Sequence, residues 1–256
     1  MASISKIFYY DNLASTNDAA KTINENNILI ITDHQNSGKG RMGRKWVSEK
    51  DTNLTFTIKK KIDINAKDIQ CVNYFFTYYT LIGIEDYLFN SMGEQFKIEI
   101  IWPNDIYVNS KKISGILIEN IFNDNNFIIG IGINVNQRSF DTKFSHKTTS
   151  LFNILKKECD INDLLVRLLI IYDNHMHLLF EHKFKEIFDN WKVKCDMKGK
   201  MINISDIENK EIEAHVKDLL YNGGIKLQVS GKEKIFFSGD IRVLSKNDKL
   251  SPNPVK

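Results

Sequence analysis

The sequence predicts an α+β fold: a mixed, mainly antiparallel sheet packed with helices, followed by a small β-barrel. Three observations carry this reading. Four short strand-like segments crowd residues 96–135 with turn signals between them, as in a meandering sheet. Two longer segments, 68–89 and 160–182, repeat apolar residues at helical spacing and read as core helices. Residues 200–245 hold about five short β-rich pieces, which suits a small barrel.

In chain order, strand-like residues begin directly after the first six positions. Ser15-Thr16-Asn17-Asp18 then opens a short helix to about residue 24, with Ser15 or Thr16 as its N-cap. Residues 28–32 form an apolar run expected to be a buried strand. After a glycine-rich loop, Leu54, Phe56 and Ile58 alternate as in a half-buried strand over 53–58. The helix over 68–89 leads to strands at 96–101, 106–108, 113–119 and 127–135. Ile161, Leu164, Leu165, Leu168 and Tyr172 mark the second core helix, 160–182. Beyond Trp191 the texture changes. Short strands at 201–204, 212–216, 224–229 and 235–237 are separated by Asn222-Gly223-Gly224 and Ser230-Gly231 turns. A boundary near residue 195 divides the chain into 1–195 and 196–256, and the polar tail 247–256 is expected to fray.

Bulk properties exclude several classes. With 42% hydrophobic and 26% charged residues the composition is that of an ordinary globular protein. No apolar run approaches the roughly 20 residues of a membrane span, and no secretory signal is visible. Cytoplasm is the expected location. Cys71, Cys159 and Cys195 are isolated, so neither a disulfide framework nor a zinc site is indicated. His175 and His177 fall on different helix faces and make a poor metal pair; no metal ligands are identified. The net charge of +3 does not demand nucleic acid.

The basic residues are more informative. Of 35 Lys and Arg, only five are Arg, and two of those are Arg41 and Arg44. In a chain that writes Lys by habit, this pairing points to a need for planar, multi-donor cations. They lie in Gly38-Lys39-Gly40-Arg41-Met42-Gly43-Arg44-Lys45-Trp46. Gly38, Gly40 and Gly43 let backbone approach a ligand, Lys39, Arg41 and Arg44 add charge, and Trp46 offers a stacking face. The set suits a nucleotide phosphate bearing an organic group, against the alternative of a flexible basic surface loop. It is not a Walker A loop, because no Gly-Lys-Ser/Thr occurs.

Three further segments stand out. In Ile101-Trp102-Pro103-Asn104-Asp105, Pro103 fixes φ and polar groups follow where a strand ends; alone, this reads more readily as a turn between strands. In Lys111-Lys112-Ile113-Ser114-Gly115, Lys112 either aims an ammonium inward or sits at a solvated strand end. Gly130-Ile131-Gly132-Ile133-Asn134 lacks the third glycine of a dinucleotide fingerprint, though strand glycines permit close ligand approach.

Together, Ser15-Thr16-Asn17, Gln35, GKGRMGRKW at 38–46, WPND at 102–105, KISGIL at 112–117 and GIGINVN at 130–136 closely resemble biotin protein ligases. Ser238-Gly239-Asp240-Ile241 more weakly resembles the end of that family's C-terminal barrel. The resemblance implies a class II aminoacyl-tRNA-synthetase-like biotin/lipoate ligase domain with an SH3-like β-barrel. It implies an enzyme that makes biotinyl-5′-AMP from biotin and MgATP, then transfers biotin to one lysine of a biotin carboxyl carrier protein or domain.

By position, the resemblance implies Ser15, Thr16, Asn17 and Gln35 at the biotin site. Gly38, Lys39, Gly40, Arg41 and Gly43 form a loop that folds over biotin and adenylate, and Arg44 reaches ATP phosphates. Asn104, Asp105 and Asn134 line the nucleotide side, with Trp46 near the adenine. Trp102, Gly115 and Gly132 belong to the same binding set. Lys112 is the foremost catalytic cation, with Arg41 and Asp105 beside it. Two positions depart from the pattern: Lys39 stands where relatives usually have Arg, and Ile101 where they usually have Lys. No room for a DNA-binding helix-turn-helix is seen before Ser15, so DNA binding is not expected. A homodimer through a sheet edge is the family habit. A lipoate ligase is the alternative in the same fold, and a non-catalytic biotin-binding protein is the alternative that Ile101 motivates.

Overall fold

The computed structural model describes residues 4–121, 125–141, 147–205 and 211–244, with backbone alone at Ile121 and Asp240. In chain order these fold as β1 (Lys6–Tyr10), α1 (Thr16–Thr22), β2 (Ile28–Thr32), β3 (Asn53–Lys61) and α2 (Gln70–Met92). Next come β4 (Ile98–Ile101), β5 (Asp105–Val108), β6 (Lys111–Ile121) and β7 (Asn126–Asn134). Helices α3 (Leu151–Leu155), α4 (Ile161–His175), α5 (His177–Phe180) and α6 (Phe184–Lys194) follow. The last elements are β8 (Met201–Ser205), β9 (Glu211–Leu219), β10 (Ile225–Val229), β11 (Lys232–Phe236) and β12 (Asp240–Val243). The expected tail, 247–256, lies outside the described residues.

The first seven strands form one sheet in the order β1-β2-β3-β7-β6-β5-β4. β1 runs parallel to β2 and the remaining neighbours are antiparallel. The expected meander is β4 to β7. Its β5–β6 turn places Asn109 and Ser110 at φ 47° and 64°, the positive-φ pair of a two-residue hairpin turn. The last five strands form an antiparallel sheet, β11-β10-β9-β8-β12.

Helix α1 starts where Ser15 Oγ accepts from the Asp18 N–H at 3.4 Å, and α4 where Asp160 accepts from Asn162 and Asp163 N–H groups. Helix α2 stops at Gly93, whose φ of +70° lets its N–H reach Phe89 O at 2.7 Å. It buries Phe75, Phe76 and Leu81 in the main core, with Tyr74 packed 4.4 Å from Trp191 of α6. The C-terminal sheet contributes Ile202, Ile204, Val216 and Leu227 to the same apolar cluster. It is pinned by Tyr74 OH to Leu220 O at 3.1 Å and Tyr221 OH to Asp68 Oδ1 at 2.7 Å.

Three expectations change. The strand over 53–58 is buried on both faces rather than one. Leu54, Phe56 and Ile58 face the main core, and α1 covers Thr57 and Lys59, whose ammonium donates to Ile23 O at the end of α1. The helix expected over 160–182 breaks at Met176 into α4 and α5. Two helices, α3 and α6, add to the expected set. The α6 residues Phe184, Ile187, Phe188 and Trp191 fall at i, i+3, i+4 and i+7, a legible amphipathic signal. No described helix is long and apolar enough to cross a membrane.

Candidate active site

The sheet, α1 and the glycine-rich loop enclose a cleft. Its floor comes from the start of α1. The Thr16 N–H and Oγ1 donate to Gln35 Oε1 at 2.8 and 3.2 Å, which fixes both side chains. Thr57 Oγ1, from β3, lies 2.8 Å from Thr16 Oγ1 and 2.6 Å from Asn17 Oδ1. Asn17 Nδ2 donates to Glu119 Oε2 at 2.9 Å. Thr16, Asn17, Gln35 and Thr57 are buried with set orientations, a pre-formed polar floor. Ile101, Ile116, Leu117 and Ile131 supply apolar wall.

Two glycines of β7 decide how closely this floor packs. A Cβ at Gly130 would meet Asn17 Oδ1 at 2.3 Å, and one at Gly132 would meet the Trp46 ring at 2.4 Å. The Trp46 indole therefore packs closely on Gly132, beside the cleft. Its Nε1 and Thr55 Oγ1 are buried without a hydrogen-bond partner, and both residues line the cleft.

The loop is a small hairpin. Trp46 N–H donates to Gly38 O at 2.9 Å and Gly40 N–H to Arg44 O at 2.8 Å, with Met42 and Gly43 at positive φ at the tip. It is tied to both sides of the cleft. Lys39 Nζ lies 2.6 Å from Asp18 Oδ2 on α1, and Arg41 Nη1 donates to Asn104 Oδ1 at 3.2 Å. Asn104 in turn donates to Ile116 O.

Lys112 is aimed by a β-bulge. On β5–β6, Ile106 pairs with Ser114 but Tyr107 pairs with Lys112, leaving Ile113 as the extra residue. In an unbroken strand Lys112 and Gly115 would face opposite ways. The bulge brings the Lys112 ammonium over Gly115, where it pairs with Asp105 Oδ2 at 2.6 Å.

Among the described lining residues, Lys39, Arg41, Arg44, Lys45 and Lys112 are cationic and Asp105 is the sole carboxylate. Such a cleft favours an anion. No group of three or more His, Cys, Asp or Glu able to hold a metal ion occurs among the described residues.

Most of the expected site residues meet here: Ser15, Thr16, Asn17, Gln35, Lys39, Gly40, Arg41, Arg44, Trp46, Trp102, Asn104, Asp105, Lys112, Gly115 and Gly132 line the cleft. Three stand back from it. Gly38 forms the loop stem, Gly43 its tip, and the Asn134 amide donates to Thr149 O at 3.0 Å inside the protein. Trp102 is nearly fully buried, and its Nε1 donates to Gly223 O at 3.0 Å, anchoring the cleft wall to the C-terminal sheet. The structure adds Lys45, Thr55, Gly130, Gly239 and Ile241 to the lining. Lys45 and Gly130 lie inside motifs already singled out. Gly239 and Ile241 come from the Ser238–Ile241 stretch, remote in sequence.

Residues 10–136 match the model of the biotin/lipoate A/B protein ligase family. This stretch is a domain of that family. The chain is homologous to biotin protein ligases. It is 30% identical over 187 residues to the bifunctional ligase/repressor BirA of Bacillus subtilis, covering 70% of this chain and 56% of that protein. It is 26% identical over 164 residues to biotin–protein ligase 2 of Arabidopsis thaliana, covering 61% of this chain and 47% of that protein. The chain thus spans about half the length of these relatives. The biotin protein ligase of Aquifex aeolicus, solved in complex with biotin and ATP, superposes with a TM-score of 0.73 at 25% identity, covering 94% of this chain and 99% of that one. The ligase-family domain therefore holds the loop and the cleft floor, and the C-terminal segment completes the lining.

Proposed function

We propose that this protein is an ATP-dependent biotin–protein ligase, which forms biotinyl-5′-AMP and passes biotin to a lysine of a biotin carboxyl carrier protein or domain. The observation that carries this reading is the loop of Lys39 and Arg41 tied across a cleft whose floor is a fixed set of short polar groups. The Thr16, Asn17 and Gln35 side chains suit the ureido ring of biotin, and the wall of Ile101, Ile116 and Ile131 suits its apolar remainder.

In the first step a carboxylate oxygen of biotin attacks the α-phosphorus of ATP. The bond from that phosphorus to the bridging oxygen breaks, and pyrophosphate leaves. Two anions are brought together, so cations around the α-phosphate lower the barrier. Lys112, aimed by the bulge and held by Asp105, is that cation, with Arg41 and Arg44 from the loop. Ile101 supplies no charge where relatives usually have Lys, and Lys45 keeps the cleft rich in cations. Magnesium would be supplied as MgATP, where it would offset charge on the pyrophosphate side. This fits a cleft whose one described carboxylate is already paired with Lys112, since Mg²⁺ typically relies on substrate phosphates. In the second step the carrier lysine's neutral amine attacks the acyl carbon, the acyl–oxygen bond breaks, and AMP leaves.

The test is direct. Purified protein incubated with biotin, MgATP and a biotin carboxyl carrier domain should add one biotin to the acceptor lysine, read by intact mass. No biotin added to the carrier, or lipoate added in its place when both acids are supplied together, would overturn the reading.

A further inference from the structure

We propose that Asp18 is a positioning residue: by holding Lys39 it latches the 38–46 loop across the cleft and limits how often the loop opens. Asp18 stands in the first turn of α1, where the helix N-terminus favours a negative charge. Its Oδ2 lies 2.6 Å from Lys39 Nζ and its Oδ1 3.3 Å from Lys21 Nζ. Lys21 continues to Glu119 Oε1 at 2.8 Å, and Glu119 Oε2 accepts from Asn17 Nδ2 at 2.9 Å. Charges alternate along this chain, from the loop through α1 to β6 and back to an amide on the cleft floor. Lys39 holds the Asp18 carboxyl below the usual carboxylate range, so the latch is charged at neutral pH.

The loop's own hydrogen bonds, between Gly38 and Trp46 and between Gly40 and Arg44, keep its hairpin shape. The Lys39–Asp18 contact instead joins it to the body of the protein, opposite the Arg41–Asn104 contact on the far wall. The Lys39 and Asp18 side chains are 49% and 38% exposed. An exposed pair gives a modest, salt-sensitive restraint, so the latch is one that opens and recloses. Its role in retaining an adenylate rests on the ligase reading; its role in holding the loop does not.

Limited trypsin digestion of the ligand-free protein separates the two. Trypsin cuts after Lys39, Arg41, Arg44 and Lys45, and mass spectrometry identifies the cuts. Asp18→Asn should be cut in this loop about threefold faster than wild type at low salt, the size expected of an exposed ion pair. In about 1 M salt the two rates should converge. Lys39→Gln, followed at Arg44 and Lys45, should match Asp18→Asn. Equal cutting of wild type and Asp18→Asn at low salt overturns the latch. So does a fast Asp18→Asn beside a slow Lys39→Gln, which would place the effect in α1. Biotinyl-AMP release should likewise be about threefold faster in Asp18→Asn with the adenylation rate unchanged. Absence of adenylate formation in wild type would remove the ligase reading and leave the proteolysis result to stand or fall by itself.

Discussion

Lys112 Nζ lies 2.6 Å from Asp105 Oδ2, with Gly115 beneath the pair. The carboxylate fixes the ammonium while leaving donors free for an incoming anion. Lys112→Ala should therefore abolish adenylation, lowering biotin-dependent pyrophosphate exchange about a hundredfold or more. Transfer from preformed biotinyl-AMP to carrier should survive. Single-turnover assays of the two steps check this, and equal loss of both would refute the division of labour.

Arg41 is the loop's contact with the WPND turn, through Asn104. Arg41→Gly should free the loop on that side and speed biotinyl-AMP release about tenfold, the scale of one lost charge-assisted hydrogen bond. Rapid filtration of adenylate-loaded protein measures the rate. Retention equal to wild type would contradict the role.

Gly130 has no room for a side chain, because a Cβ would lie 2.3 Å from Asn17 Oδ1. Gly130→Ala should displace the Asn17 amide, raise the KM for biotin several-fold and destabilise the fold by about 1–3 kcal/mol. Thermal unfolding and biotin titration of the exchange rate report the two effects. An unchanged KM would separate Asn17 from biotin recognition.

The cysteines should be inert in the native protein. Burial pushes the Cys71 thiol up to about 11, and Cys159 and Cys195 also upward. Raised values deplete the thiolate at pH 8, and the thiolate is the reactive form. Iodoacetamide at pH 8 should label none of the three before denaturation and all three after it. Prompt native labelling would show that the main core opens.

Much of this site was legible because its chemistry is local in sequence. Three glycines, two arginines and a tryptophan within nine residues announce an anion-covering loop before any fold is known. The alternation of Leu54, Phe56 and Ile58 marked β3, yet not its second buried face, because α1's covering of Thr57 and Lys59 is a tertiary fact. The bulge that turns Lys112 was equally hidden, since register depends on the partner strand. The Lys39–Asp18 contact joins residues 21 positions apart, and Gly239 with Ile241 reaches the cleft from the far end of the chain. Asn134 lies in its motif, and its amide donates to Thr149 O, a partner the motif did not announce.

Biotin-dependent exchange of pyrophosphate into ATP tests the account at its centre, because it requires the cleft to bind biotin and activate its carboxylate. The wild-type protein should catalyse exchange with biotin and not with lipoate. Biotin bound without any exchange would contradict the account and leave a binding protein in its place.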